Sequence, residues 1–256
     1  MTQTFVGKTA LIVGGSSGIG KETARQLLMN GAEWVAIIGH KADKMEEAKK
    51  QLALLGEVRT HLADLRRWDD VMATVDYVAG LEKTDLLVNA AGVFLPKMFV
   101  EHTPADYDQY LDLNKATFFV TQQVVKNMIA HQSGNIVNIG SMWASQSILA
   151  TPSSAYSMAK AGLHALTQHL ALELAQYNIR VNAVAPAVVQ TPIYEGFIAP
   201  EEVTATLATF NGFHPIGRIG RPEDVANVIT FLLSEKAAWV TGALYNVDGG
   251  VMAGRN

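Results

Sequence analysis

"TALIVGGSSGIG", Thr9 to Gly20, runs an unbroken apolar stretch into a glycine-rich turn. The segment that follows, "IGKETARQLLMNGA", has helical periodicity. A strand that is apolar at successive positions is buried on both faces, which is the habit of parallel sheets. Gly15, Gly18 and Gly20 have no side chain. They let the chain turn sharply and leave the backbone N–H groups of the helix start open to a phosphate. A glycine triplet alone is a weak signal; one that closes a strand and opens a helix stands in the required context.

The same alternation continues along the chain. "WVAIIG" (34–39) precedes "KADKMEEAKKQLALLG", "EVRTHLAD" (57–64) precedes "DDVMATVDYVAGL", and "TDLLVNAAG" (84–92) leads to a long helix over 104–131. "GNIVNIGS" (134–141) precedes "SSAYSMAKAGLHALTQHLALELAQY". After "IRVNAVAP" (179–186) comes an irregular stretch, then the helical "RPEDVANVITFLLS" and a last strand in "GALYNVD" (242–248). This pattern predicts an α/β fold: a Rossmann-type doubly wound, seven-stranded, mainly parallel sheet with helices on both faces. No linker or repeat interrupts it, so a single domain over 1–256 is expected.

Composition narrows the function. With 49% hydrophobic and 17% charged residues the chain is a compact globular one. A net charge of −4 without a basic run argues against nucleic acid as a partner. There are 0 cysteines, hence no disulfide and no thiol chemistry. No apolar run is long enough to span a membrane and the first residues lack a signal-peptide pattern, so a cytoplasmic protein with no membrane association is expected.

Ligands on doubly wound sheets bind beyond the carboxyl ends of the strands. Small or polar residues gather there: the glycine loop, Ala63–Asp64, "NAAG" (89–92) and "IGS" (139–141). Within the helix after "IGS", Tyr156 and Lys160 are four apart and share a face. No residue has partners at metal-ligand spacing, and no metal is expected. His164 and His169, on the same helix, read as surface or interface packing.

Taken together, GGSSGIG (14–20), Asp64 with Leu65, NAAG (89–92), Asn114, Gly140–Ser141, YSMAK (156–160), RVNAVAP (180–186) and VDGG (247–250) resemble the short-chain dehydrogenase/reductase family over nearly the whole chain. Gly14, Ala90 and Ala187 stand where the family often has threonine, asparagine and glycine. Ser141 and Tyr156 are further apart than usual, so a longer intervening loop is expected.

The resemblance implies a hydride transfer between a nicotinamide cofactor and a ketone or secondary alcohol. Tyr156 would be general acid/base, and Lys160 would favour its phenolate and hold the nicotinamide ribose. Ser141 would hydrogen-bond the reacting oxygen, and Asn114 would kink its helix and hold a water leading to the lysine. A free tyrosine titrates near ~10, so such help is needed at neutral pH. The resemblance also implies cofactor contacts from Gly15, Ser17, Gly18, Ile19, Gly20, Asp64, Leu65, Asn89, Ala90, Gly92, Pro186, Val189 and Thr191, besides Tyr156 and Lys160. It makes 187–217 a substrate lid, with Trp143, Ala187, Tyr194 and Phe197 lining the pocket.

No lysine or arginine falls between 181 and 217, which favours a neutral, partly apolar substrate. Family members that prefer NAD carry an acid at the end of the second strand, where this chain has Gly39 followed by His40 and Lys41. That predicts NADPH/NADP+ over NADH/NAD+. A 3-oxoacyl-carrier-protein reductase is the alternative, although the helices beside the pocket offer little positive charge to an acidic carrier. A non-catalytic nucleotide-binding regulator is a further alternative, opposed by Ser141, Tyr156 and Lys160 all being present. The family habit and the apolar, small-residue helices 104–131 and 155–177 predict a homotetramer, with a dimer as the fallback.

Overall fold

The computed structural model describes residues 3–148 and 151–254. Seven strands form one sheet: β1 (Thr9–Val13), β2 (Trp34–Gly39), β3 (Glu57–Leu62), β4 (Leu86–Asn89), β5 (Gly134–Ile139), β6 (Ile179–Pro186) and β7 (Leu244–Val247). Their order is β3-β2-β1-β4-β5-β6-β7, and every pairing is parallel. The helices are α1 (Gly18–Met29), α2 (Ala42–Leu52), α3 (Trp68–Ala79), α4 (Pro104–Ala130), α5 (Ser154–Leu174), α6 (Pro200–Ala208) and α7 (Pro222–Leu233).

The unbroken apolar run of β1 has the cause assigned to it above, because successive side chains feed two cores. Ala10 and Ile12 pack with α1, α2 and α7 on one face through Leu27, Met45, Ala48, Val225 and Ile229. Leu11 and Val13 pack with α3, α4 and α5 on the other through Val71, Val120, Val124, Met128 and Ala171. Strands at the sheet edges, β3 and β7, are only partly covered. β3 also stops earlier than the sequence suggests. Ala63 still bonds Gly39 O, but the Asp64 N–H turns away to the Asp70 carboxylate at 2.8 Å.

Two caps show how local chemistry sets the helix starts. At α4, Thr103 and Asp106 form a capping box and Pro104 occupies the first turn, so its N-terminal N–H groups are engaged within the protein. At α1, the N-cap Ser17 makes no side-chain cap and the first turn carries no acid. One helix start is sealed, while the other is left open beside the glycine loop.

The stretch expected to be irregular contains a helix. α6 begins at a proline, carries Glu201 and Glu202 in its first turn, and buries Leu207. It stands on a fixed stem: Val189 bridges Gly220, with Gln190 N–H to Gly220 O and Gly220 N–H to Val188 O both at 2.9 Å. No helix among the described residues is long and apolar enough to cross a membrane.

Candidate functional site

The strand order reverses between β1 and β4, and the chain folds over that point to leave a cleft of about 680 Å³. Most of the residues singled out above line it. At one end stand Ser17, Gly18, Ile19 and Gly20, with His40 and Lys41 after β2 and Asp64 and Leu65 after β3. Ala90 and Gly92 follow β4, and Pro186, Val189 and Thr191 follow β6. At the other end are Ser141, Trp143, Tyr156, Lys160, Ala187, Tyr194 and Phe197.

Three expected site residues stand behind the wall instead. Gly15 is required by packing, since a Cβ there would press into Ile37. Asn89 is buried, and its amide donates to Thr121 Oγ1 (3.0 Å) and Asn138 Oδ1 (2.8 Å), which locks β4 to β5. Asn114 donates to Ala159 O at 2.8 Å, tying α4 to α5 one residue before Lys160, and α4 runs through it without interruption. Its place is that of a brace between the two helices.

The phosphate end fits a dinucleotide. A Cβ on Gly20 would collide with Gly14 O, so only glycine allows the loop to close against the helix start. That leaves the uncapped N–H groups of α1 facing the cleft, as a pyrophosphate requires. Beyond it, Asp64 is held in a two-point ion pair by Arg66 (2.9 and 2.7 Å), which keeps its carboxyl below the usual range. Arg66 was not foreseen from the sequence. Burial depresses His40, so at neutral pH the imidazole is a hydrogen-bonding group more than a cation. Lys44 also lines this end and reaches across to Glu195 of the lid at 2.6 Å.

At the chemical end, Tyr156 and Lys160 lie one turn apart on α5, with the ammonium 5.7 Å from the phenol ring centre. Lys160 Nζ donates to Ile139 O at 2.7 Å, the last residue of β5, so the sheet fixes its position. Ser141 caps a short turn at Met142–Ala144, its Oγ accepting from Trp143 N at 3.3 Å. Burial pushes the Tyr156 phenol up to about 12, with the Ser141 hydroxyl pulling the other way and Tyr110 adding to the rise. Burial also brings Lys160 down to about 8. Burial thus holds the phenol in its protonated form at neutral pH.

Aromatic rings enclose the rest. Phe94 meets Tyr156 edge-on at 4.9 Å and Phe197 at 5.6 Å, and lies 6.4 Å from Trp143. Tyr110, unforeseen, clamps the Phe94 loop by accepting from Leu95 N and donating to Leu95 O, both at 3.0 Å. Leu207 and Phe210 of the lid close the chamber. The Trp143 indole N–H is buried with no partner among the described residues. Among the described residues no group of three or more potential metal ligands occurs.

Residues 13–252 match a family model described as enoyl-(acyl carrier protein) reductase. A 3-oxoacyl-[acyl-carrier-protein] reductase from Thermotoga maritima is 36% identical, over 96% of this chain and 98% of that one. An L-xylulose reductase from Bos taurus is also 36% identical, covering 99% and 100%. Among solved structures, L-sorbose reductase from Gluconobacter frateurii, complexed with NADPH and L-sorbose, superposes with a TM-score of 0.89 at 29% identity, covering 100% of both chains.

Proposed function

Because this chain belongs to the short-chain dehydrogenase/reductase family and is an oxidoreductase of it, we propose that it is an NADP(H)-dependent carbonyl reductase acting on neutral, partly apolar ketones and the matching secondary alcohols. The observation that carries this reading is the convergence of Ser141, Tyr156 and Lys160 on one wall of an aromatic chamber.

A bound nicotinamide dinucleotide supplies the hydride that no side chain here can provide. In reduction, the Tyr156 hydroxyl gives its proton to the substrate oxygen as the carbonyl carbon is reduced, and the Ser141 hydroxyl donates to the same oxygen. A phenol raised by burial starts the reaction protonated, which suits this direction. Lys160, held by Ile139 O, keeps a positive charge beside the developing phenolate. Asn114 braces α5 next to that lysine.

The chamber's rings and the uncommitted Trp143 N–H fit a ketone bearing a further neutral acceptor. Gly39 at the end of β2, Lys41 and Lys44 on the wall, and Asp64 already paired with Arg66 favour the 2′-phosphate of NADP(H). The Bos taurus and Gluconobacter relatives are reductases named for L-xylulose and L-sorbose, both neutral sugars. The second reading, reduction of a 3-oxoacyl thioester, is favoured by the names of the family model and the Thermotoga relative. We also propose a cytoplasmic homotetramer.

Steady-state reduction of a panel of ketones, sugars and acetoacetyl thioesters, with NADPH and NADH in parallel, tests all of this. Tyr156→Phe is expected to lose at least about a thousand-fold in kcat while binding NADPH normally. Undiminished turnover in that variant would sink the mechanism. A dominant preference for acyl thioesters would replace the first reading by the second.

A further inference from the structure

His164 was expected at a surface or interface and is instead buried, 6% exposed, on the helix that carries Tyr156 and Lys160. Its Nε2 accepts the backbone N–H of Ser141 at 3.4 Å, and this is the acceptor for that buried N–H. The ring lies hard against the preceding peptide, because a Cβ at Gly140 would fall on the imidazole. Other ties of this loop include Gly140 N–H to Val184 O at 2.8 Å, Ala144 N–H to Ser141 O at 3.1 Å and Trp143 N–H to Ser141 Oγ.

We propose that His164 is a positioning residue for Ser141: its Nε2 fixes the serine peptide, and so aims the Ser141 hydroxyl at the substrate oxygen. The inference rests on the proposed role of Ser141. Gly140 alone separates β5 from that serine, and a glycine with no side chain leaves the following peptide free to rotate unless it is anchored. The sheet holds Gly140 through Val184, and the histidine holds the next N–H along. Together they hold the two successive peptides that lead into the serine. Burial, helped by the neighbouring Lys160 charge, depresses the His164 pKa, which keeps the ring neutral with Nε2 free to accept and the proton on Nδ1. A buried N–H left without its acceptor would seek another arrangement, and an error of about an ångström in a donor at the reacting oxygen is worth roughly a hundred-fold in rate.

The test is a double-mutant cycle read as kcat, with NADPH dissociation constants measured alongside. His164→Leu keeps the volume and removes the acceptor. His164→Gln returns an oxygen near the Nε2 position, whereas His164→Asn reaches only to Nδ1. Expected are a fall in kcat of about ten- to a hundred-fold for His164→Leu with unchanged NADPH affinity, and recovery to within about three-fold in His164→Gln but not in His164→Asn. In a Ser141→Ala background, His164→Leu should change kcat by less than about three-fold, because the hydroxyl it positions is gone. Equal losses in both backgrounds, or none in either, would overturn the proposal. Should His164→Leu fail to bind NADPH, the comparison of His164→Gln with His164→Asn decides in its place. If Ser141→Ala itself costs nothing, it is the reading of the active site that fails, and that outcome is separable from the others.

Discussion

Lys160 shows how one buried group sets a pH response. Burial brings it from 10.5 down to about 8. Between those values the folded chain binds fewer protons than the unfolded one, so stability from this group rises with pH across that window. The cost of burying the ammonium is present below pH 8 and fades toward 10.5. Activity follows the opposite sign, because the charge is needed. The value of kcat/KM for NADPH reports groups of the free enzyme, and we expect it to fall above pH 8. A profile that stays flat to pH 10 would show that Lys160 is not the group concerned. Cofactor choice also turns on one position. A Cβ at Gly39 would meet Ser16 Oγ at 2.7 Å and Met45 Cε at 3.0 Å, both on movable side chains. Gly39→Asp combined with Ser16→Ala should therefore shift preference from NADPH to NADH, by roughly ten-fold or more in the ratio of kcat/KM; an unchanged ratio would remove Gly39 from the account. Ser141, Tyr156 and Lys160 were legible in the sequence through the family resemblance, and a strand end and a four-residue helical step fix where they stand. His164 was not, because it sits beside the buried stripe of Ala159, Leu163, Thr167 and Ala171, and which edge of that stripe is covered depends on the loop packed above it.

The elements on the sheet were read closely, since β6 was expected over 179–186 and is found at Ile179–Pro186. Its apolar run is decided locally by burial on two faces. The lid was not, and the reason lies in its contacts. α6 buries only Leu207, so its periodicity carries little signal, and its conformation is set by docking on Trp143, Val188 and Tyr194. The ion pair from Lys44 on α2 to Glu195 joins residues separated by 151 positions and has no sequence signature. It bridges the phosphate end of the cleft and the lid, and a 2′-phosphate near Lys44 competes with Glu195 for it. Glu195→Gln should then lower KM for NADPH by roughly two- to five-fold, as expected for a partly exposed pair worth up to ~1 kcal/mol, and leave KM for NADH unchanged. Equal shifts for both cofactors would mean that the pair acts on the lid alone.

At the scale of the whole molecule, two of the surfaces on which apolar side chains remain uncovered bear on assembly. One lies on the side of the sheet held by α3, α4 and α5, where Trp68, Leu111, Phe118, Phe119 and Met158 are exposed. Trp68 and Phe119 meet edge-on at 5.4 Å, with the Lys115 ammonium 4.0 Å above the indole, so these rings already form an ordered surface. The other surrounds α7 and the edge strand β7, where Phe231 and Leu244 are exposed and Trp239 is 100% exposed. A fully exposed tryptophan and an uncovered sheet edge are both features that a single chain normally conceals. A patch that closes on its own copy gives a two-fold dimer, and two different patches closing in this way give a tetramer of two two-folds. That geometry is why the tetramer is proposed over the dimer. Sedimentation velocity of the unaltered protein should show four chains. Trp239→Glu with Leu244→Glu should yield dimers that retain turnover, because neither residue lines the cleft. Phe118→Glu with Met158→Glu should break the other contact, and is expected to lower activity as well, since Met158 lies on α5 between Tyr156 and Lys160. A stable, fully active monomer of the unaltered chain would contradict the assembly, and dimers that persist through both double substitutions would place the contact elsewhere.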